Sequence, residues 1–218
     1  DTVDITVRGV GGHGATPHLT IDPVVIAAQL VLALQTIDSR EVDPLEGVVV
    51  TVGSIHGGSA PNIIPDAVRL QLTIRSYDAA VRDRILASVH RISRHVALAA
   101  GVPEDRLPEV TLRDEFTPAV YNDPELCRRA AAAFRAALGA DAVVARRPEM
   151  IGEDFGAYRL QHPPVPSLMF RVGTSDPYRA PGTAPAPLHS GRFTAAVEPS
   201  IRTGALAMTA LVLELLHR

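Results

Sequence analysis

The chain has 218 residues, of which 46% are hydrophobic and 21% charged, with a formal net charge of -3. This composition is typical of a folded protein with one large or two small domains, and the lack of a basic stripe argues against a nucleic-acid or anionic-membrane partner. A single cysteine, Cys127, excludes an internal disulfide and favours a cytoplasmic location, and we expect no membrane span because no stretch approaches roughly 20 apolar residues.

A strand, a glycine-rich loop and a helix are predicted first. Residues 2–9 alternate between apolar and polar side chains, which is typical of a strand. Asp22-Pro23 is a helix start, and the helix should run to about Ser39. Its apolar side chains at helical spacing are Val25, Ala28, Leu32 and Leu34. Because the chain opens directly into a strand, without methionine, we expect further sequence upstream.

The next segments extend this pattern to residue 113. Residues 48–52 and 67–74 predict two strands, joined by a loop rich in turn formers at residues 57–62. A second helix is predicted from about Asp78 to Ala100, and residues 110–112 predict a fourth strand. The stripe on this helix is Val81, Ile85, Val89, Ile92 and Val96. The order β-α-β-β-α-β predicts a four-stranded antiparallel sheet with both helices on one face.

The remaining residues, 114–218, predict a second domain with few strands. An alanine-rich helix should end at Leu138, and strands are predicted at residues 142–144 and 167–170. A proline-rich loop at residues 177–187 precedes a final helix of about 20 residues. This pattern indicates an incomplete α/β layer whose missing partners we expect upstream.

His13 is the first candidate for chemistry. It lies in a loop, Gly9–Gly14, whose glycines let another molecule approach the imidazole closely. The loop is not a phosphate-binding loop, because no lysine follows and the helix begins too late. A surface histidine is the plain alternative, and a metal pair with His18 would lack a third ligand.

Four further residues are candidates on local pattern. Arg75 closes a strand and has the fork geometry that binds a carboxylate, and Asn62 could add a neutral hydrogen bond, although such residues are usually solvated. Glu153 is either an acid/base group or a complement to a helix dipole. His189, before the last helix, is either a metal ligand or a buried histidine.

Several ordered motifs together resemble one family over essentially the whole chain. They are Gly11-Gly12-His13-Gly14-Ala15, Gly57-Gly58-x-Ala60-x-Asn62-x-Ile64-Pro65-Asp66, Thr73-Ile74-Arg75-Ser76, Gly152-Glu153-Asp154-Phe155 and Leu188-His189-Ser190. This set is similar to the hippurate hydrolases, a branch of the N-acyl-amino-acid amidohydrolases among the dinuclear metallopeptidases. Aminoacylases, carboxypeptidases and the hydrolases of indole-acetyl-amino acids are relatives of that branch.

The resemblance implies a fold and an activity. The expected fold class is α/β with an α+β lid: a four-stranded antiparallel β-α-β-β-α-β lid and dimerisation domain at residues 1–113, and the C-terminal portion of an α/β metallopeptidase catalytic domain at residues 114–218. The implied activity is metal-dependent cleavage of the amide bond of N-acyl amino acids such as hippurate. The implied assembly is a homodimer through the lid with two divalent ions, such as zinc or manganese.

The resemblance also implies a role for each candidate residue. His189 would bind one of the two ions, and His13 would reach into the partner subunit's site to hydrogen-bond the oxyanion. Asn62 and Arg75 would hold the substrate carboxylate, and Glu153 would lie near the substrate pocket.

Two departures from the family pattern limit these roles. Gly152 stands where the family has serine, so a hydroxyl contact is absent. The other metal ligands and the glutamate base have no counterpart in this sequence, so we expect the isolated chain to be inactive. The alternative is a noncatalytic dimerisation or small-ligand-binding module.

Overall fold

The computed structural model describes residues 1–114, 116–161, 164–175, 184, 186–187 and 189–217. The chain divides into two compact units. The first is formed by Asp1–Ala119 and Glu149–Asp154, and the second by Val120–Pro148 and Phe155–Arg218. The domain boundary placed after residue 113 stays a prediction.

The first unit contains the predicted four-stranded antiparallel sheet. Its strands are β1 (Thr2–Arg8), β3 (Val48–Gly57), β5 (Ala67–Ser76) and β6 (Glu109–Leu112), in the spatial order β3-β5-β1-β6. Two short strands, β2 (Gly12–His13) and β4 (Ile63–Ile64), pair separately. The β-α-β-β-α-β prediction is therefore confirmed, and the short β2–β4 pair is an addition to it.

One face of this sheet is covered by both helices, α1 (Pro23–Thr36) and α2 (Ala79–Ala99). Alternate residues of the two central strands point into that core and are at most 1% exposed: Val3, Ile5, Val7, Val68, Leu70, Leu72 and Ile74. The opposite face is polar, where Ser54 donates to Gln71 and Gln71 donates to Asp4. The period-2 alternation of the sequence thus separates the core from the polar face.

Side-chain caps define the starts of both helices, and a glycine defines the end of α2. Asp22 accepts a hydrogen bond from the Val24 amide, and Asp78 accepts bonds from the two amides that begin α2. At the other end of α2, Gly101 has φ 81° and the Val102 amide donates to the carbonyl of Ala97. This left-handed end is the Schellman motif, which favours glycine.

The buried face of α1 differs from the stripe expected from its spacing. Ile26, Ala27, Leu30 and Leu34 are buried, whereas Val25 and Leu32 are 54% and 73% exposed. The helix is apolar around most of its circumference, so periodicity alone could not select the face. The apolar stripe predicted for α2 is confirmed, with Val96 half-buried at its end.

The second unit is built mainly from two helices, α3 (Pro124–Leu138) and α4 (Val197–Leu216). They pack through a small cluster formed by Ala130, Phe134, Ala207 and Leu211. The strands predicted at residues 142–144 and 167–170 were wrong. A short 3-10 turn ends at Ala142, and the Met169 backbone bonds the Asn122 side chain in place of a neighbouring strand.

Helix α4 overturns the expectation that no segment has the length and composition of a membrane span. Its 20 residues include an 18-residue window with a mean hydropathy of 1.3, and 11% of that window is buried. Length and composition are weak evidence, because the core helix of a globular protein passes the same test. The absence of a membrane partner stays a prediction.

Candidate functional site

His13 lies on a glycine-rich segment that the fold holds from both sides. We call Gly9–Gly14 the His13 arm. On one side the Gly9 amide donates to the Asp66 carbonyl at 2.8 Å, and strand β2 pairs with β4. On the other side, Val10 forms a bridge with Ile21. The arm is therefore part of the folded scaffold, while the His13 side chain is exposed.

One contact determines which nitrogen of His13 carries a proton. The Ala15 amide donates to His13 Nδ1 at 3.1 Å. A backbone amide can only donate, so Nδ1 must be the unprotonated acceptor of the ring. In the neutral imidazole the proton then lies on Nε2, which makes Nε2–H a donor.

Asn62 lies beside His13. The Gly14 amide donates to the Asn62 carbonyl oxygen at 2.8 Å, and His13 pairs in register with Ile63. A Cβ on Gly14 would lie only 3.3 Å from the Asn62 backbone, so glycine permits this approach. The backbone segments that carry His13 and Asn62 thus lie side by side at the end of the sheet where β5 begins, and both residues are exposed.

At the opposite end of β5, Arg75 contacts the segment that carries Glu153. Arg75 Nη1 donates to the Met150 carbonyl at 2.6 Å, three residues before the half-buried Glu153. A Cβ on Gly152 would lie 3.9 Å from Arg75 Nη1, an ordinary contact distance. One bond to a carbonyl leaves the guanidinium further N–H groups with which to bind an anion.

The two pairs do not meet within one chain. Strand β5 runs from Ala67, next to the His13 arm, to Ser76, next to Arg75. Arg75 lies eight positions after Ala67, which at a rise of about 3.3 Å per residue is roughly 26 Å. The predicted site residues of the first unit therefore form two half-sites, His13 with Asn62 and Arg75 with Glu153.

His189 lies in the second unit, in a turn closed by the Ser190 amide and the Pro187 carbonyl. Its φ of 64° is the only left-handed value at a non-glycine residue in the described part of the chain. Such a conformation costs about 1–3 kcal/mol and is often found at functional positions. The imidazole is exposed.

Within the described residues, no three His, Cys, Asp or Glu side chains lie close enough to hold a metal ion together. The assignment of His189 as a metal ligand stays a prediction. Cys127 is half-buried, and burial followed by the charge of Asp123 raises the pKa of its thiol. A thiol with a raised pKa is a poor nucleophile, so Cys127 is better suited to packing than to catalysis.

Asp66 is a residue of the site that the motif analysis named only as part of a longer run. Its Oδ1 accepts a hydrogen bond from the Gly11 amide at 3.0 Å, in addition to the bond between its carbonyl and Gly9. The sequence signal was the Pro65-Asp66 pair that follows Asn62, since aspartate often bonds nearby backbone amides in turns. Its partner 55 residues earlier could not be seen without the fold.

Comparison with known families gives a match over the first unit. Residues 1–100 match the family model described as the peptidase dimerisation domain, M20_dimer. The chain is 39% identical over 190 residues to N-acetyldiaminopimelate deacetylase of Leuconostoc citreum, covering 87% of this chain and 45% of that protein. It is also 39% identical over 168 residues to N-acetyl-L-cysteine deacetylase of Bacillus subtilis, covering 75% of this chain and 38% of that protein.

Solved structures have the same fold. A structure described as an aminohydrolase from methicillin-resistant Staphylococcus aureus superposes with a TM-score of 0.75 at 28% identity, covering 98% of this chain and 50% of that one. A dinuclear metal-binding peptidase of the M20 family from Bacillus subtilis superposes with a TM-score of 0.66 at 22% identity, covering 99% and 51%. The chain thus spans about half the length of these relatives.

The candidate residues near the two ends of β5 belong to several motifs that are far apart in the sequence. The relatives align with the chain across both units. Residues 1–100 are therefore a peptidase dimerisation domain of the M20_dimer family, and the chain is related along most of its length to enzymes that deacetylate N-acetyl amino acids.

Proposed function

We propose that this chain is part of a metal-dependent amidohydrolase that cleaves the amide bond of N-acyl amino acids and whose active site is shared between two subunits. One observation carries the proposal. The segments with His13 and Asn62 lie near the start of β5, and Arg75 lies near its end, with a strand length of roughly 26 Å between Ala67 and Arg75. Groups that far apart on a rigid sheet act on one small substrate only if two copies combine.

The edge strand β3 supplies the geometry for this combination. It pairs with β5 on one side, and no other described strand pairs with its outer side. Gly57 of β3 lies opposite Val68, near the His13 arm, and Val48 lies opposite Ser76, near Arg75. If two copies pair along β3 antiparallel, about a two-fold axis, the His13 end of one lid meets the Arg75 end of the other.

Helix α1 adds apolar surface to the same interface. Its outward side carries Val24, Val25 and Leu32, which are 43%, 54% and 73% exposed, and the helix packs on β3. Ile55 of β3 is 51% exposed as well. Side chains of this kind bury apolar area when two copies associate, and an unpaired edge strand becomes paired.

The two half-sites suit the hydrolysis of an amide that lies next to a carboxylate. His13 Nε2–H is a fixed donor for the oxyanion that develops on the amide carbonyl. Arg75 presents a planar fork for the carboxylate of the amino acid, and the Asn62 carboxamide offers a neutral hydrogen bond from the partner's lid. Divalent ions, when bound, lower the pKa of a water molecule and make it a nucleophile. His189 would supply one ligand to them.

The names of the relatives support the substrate class. They include deacetylases of N-acetyldiaminopimelate and N-acetyl-L-cysteine, both N-acylated amino acids, and thermostable carboxypeptidases from Saccharolobus solfataricus. Hippurate is an N-acyl amino acid of the same kind. We therefore propose hippurate-like substrates, an assignment finer than the hydrolysis of amides in general.

The shared site is tested by mixing two inactive variants of the protein expressed from its natural reading frame. His13→Ala and Arg75→Ala homodimers should each be nearly inactive on an N-acyl amino acid. A mixed dimer has one site with both residues intact. Random exchange of subunits should therefore restore about one quarter of the parent activity. If both pairs act within one subunit, mixing restores nothing, and full activity of either variant alone would refute the proposal.

The 218-residue chain itself allows a simpler measurement. We propose that it is a dimer with negligible hydrolase activity. Leu32→Glu should give a monomer in sedimentation velocity, because a charge would be buried in the interface. Leu45 is 94% exposed in a loop, so Leu45→Glu is the matched control and should remain dimeric. Metal-dependent hydrolysis by this chain would contradict the assignment of a single ligand to it.

A further inference from the structure

Asp66 bonds the His13 arm at two points. Its backbone oxygen accepts from the Gly9 amide at 2.8 Å, and its side-chain Oδ1 accepts from the Gly11 amide at 3.0 Å. Among the described residues, no other side chain accepts a hydrogen bond from an amide of the arm. The two bonds attach both the start and the middle of the arm to the first residue before β5.

Gly11 allows this contact because it has no side chain. A Cβ at Gly11 would lie 2.7 Å from the Ile64 carbonyl oxygen and 2.9 Å from Asp66 Oδ1. Both distances are shorter than real Cβ contacts, so any larger residue would push the carboxylate away. The hydrogen bond from the Gly11 amide to the Asp66 carboxylate therefore depends on a glycine at position 11, where the two segments approach closely.

The Gly11–Asp66 hydrogen bond affects the position of His13 through the backbone of the arm. His13 is two residues beyond Gly11, in a strand pair of only two residues. So short a pair is weak alone, and its register depends on the bonds that flank it. The Gly11–Asp66 bond lies on one flank, and the bond between Gly14 and Asn62 lies on the other.

We propose that Asp66 is a positioning residue for His13: its carboxylate, through the Gly11 amide, fixes the register of the β2–β4 pair. It thereby holds the His13 imidazole, in its Nε2–H form, beside Asn62. The inference rests on the proposed function in that His13 is taken as the donor to the oxyanion. Asp66 touches neither substrate nor metal in this role, and acts only through the arm.

The 218-residue chain, labelled with ¹⁵N, allows the first test by NMR. In Asp66→Ala, we expect the Gly11 amide to exchange about tenfold faster, as for the loss of a charge-assisted hydrogen bond. The His13 ring nitrogens should shift from the single Nε2–H form to a mixture of tautomers. Asp66→Asn keeps an oxygen acceptor at Oδ1 and should restore both signals.

The matched control is a variant that loses a hydrogen bond between an aspartate side chain and a backbone amide in the second unit. Asp123 Oδ1 accepts from the Leu126 amide at 2.9 Å in the second unit, so Asp123→Ala should leave the His13 signals unchanged. If Asp66→Ala does not fold, Gly11→Ala displaces the carboxylate from the other side and should give the same ring shifts. Parent-like signals in the folded Asp66→Ala or Gly11→Ala chain would overturn the proposal.

Kinetics of the protein expressed from its natural reading frame provide the second test. Asp66→Ala should lower kcat about tenfold with little change in KM, because the donor serves the transition state. In a His13→Ala background the same change should have no further effect. If Asp66→Ala lowers kcat by the same factor in the His13→Ala background, Asp66 does not act through His13. If His13→Ala itself retains full activity, the proposed function fails, whereas the NMR signals still decide whether Asp66 positions the ring.

Discussion

The two units of the chain differ in how completely they bury their apolar side chains. In the first, a cluster of buried residues fills the space between the sheet and its two helices, and its largest members are 0% exposed. In the described part of the second unit, the buried cluster consists of Ala130, Phe134, Ala207 and Leu211, with a few half-buried side chains packed against it. So small a cluster gains little from burial, and we expect the first unit to account for most of the measured stability.

In the second unit, much of the apolar surface of helix α4 is exposed. Helix α4 carries Val197, Ile201, Leu206, Met208, Val212, Leu213 and Leu216, each at least 45% exposed. Between α3, α4 and residues 155–158 and 165–168 lies an open, mainly apolar groove of about 300 Å³. The difference teaches that a local pattern of apolar residues forms a helix in both units, whereas a core also requires a second layer that covers it.

The largest effect is expected from truncating a core residue in each unit. Leu70 of β5 is 0% exposed, so Leu70→Ala should lower the free energy of unfolding of the first unit by about 3–4 kcal/mol. Leu211→Ala should lower that of the second unit by about 1–2 kcal/mol, because α4 is solvated on its other side. Hydrogen exchange of β5 and α4 amides measures each unit separately. Equal losses would contradict the comparison.

Helix caps should show the next largest difference. Asp78 accepts two amide hydrogen bonds at the start of α2, and Asp78→Ala should destabilise the first unit by about 1 kcal/mol. Helix α4 starts at Ala196 without a side-chain cap. Ala196→Asp should stabilise it by about 0.5–1 kcal/mol, measured as protection of the first amides of α4. A destabilised Ala196→Asp variant would show that this start is held by other contacts.

A buried hydroxyl offers a smaller effect in the first unit. Ser93 of α2 is 1% exposed, and its Oγ has no hydrogen-bond partner among the described residues. Removing an unsatisfied polar atom should stabilise the unit, so we expect Ser93→Ala to raise the free energy of unfolding by about 0.5–1 kcal/mol. Thermal melts followed by circular dichroism would detect this change. Ser88→Ala is the control: it loses a hydrogen bond to Glu41 and should not stabilise the unit.

Acid should weaken the first unit through two carboxylates. The Arg113 and Gln71 hydrogen bonds lower the pKa of Asp4, and those of Ser88 and Arg91 lower the pKa of Glu41. A lowered pKa in the folded state contributes stability that is complete above the ordinary carboxylate range and is lost as pH falls through the folded-state pKa. Unfolding of β5 should thus become easier below about pH 4.

The double variant Asp4→Asn with Glu41→Gln provides the control for this effect. Without these two carboxylates, the stability of β5 should depend less on pH in the acid range than it does in the parent chain. Both side chains are about one third exposed, so the difference should be the smallest of those described here. An identical acid profile in parent and variant would contradict the assignment to Asp4 and Glu41.

Local signals were sufficient to predict most of the first unit. The caps Asp22 and Asp78 and the alternation of β1 and β5 are short-range features, and each predicted element was found. The strands predicted at residues 142–144 and 167–170 failed because a strand also needs a neighbour with which to pair. The prediction of the buried face of α1 was wrong for a similar reason, since a helix that is apolar around most of its circumference carries little local information about which side is buried.

The sequence by itself determined the order of elements in the first unit and which motifs carry the candidate residues, because backbone propensity and side-chain spacing are properties of neighbouring residues. Only the tertiary structure decided that the His13 and Asn62 segments lie side by side, that Asp66 bonds the His13 arm, and that Arg75 contacts the Met150 carbonyl. These relations depend on strand register and length, which set distances between residues that are far apart in the chain.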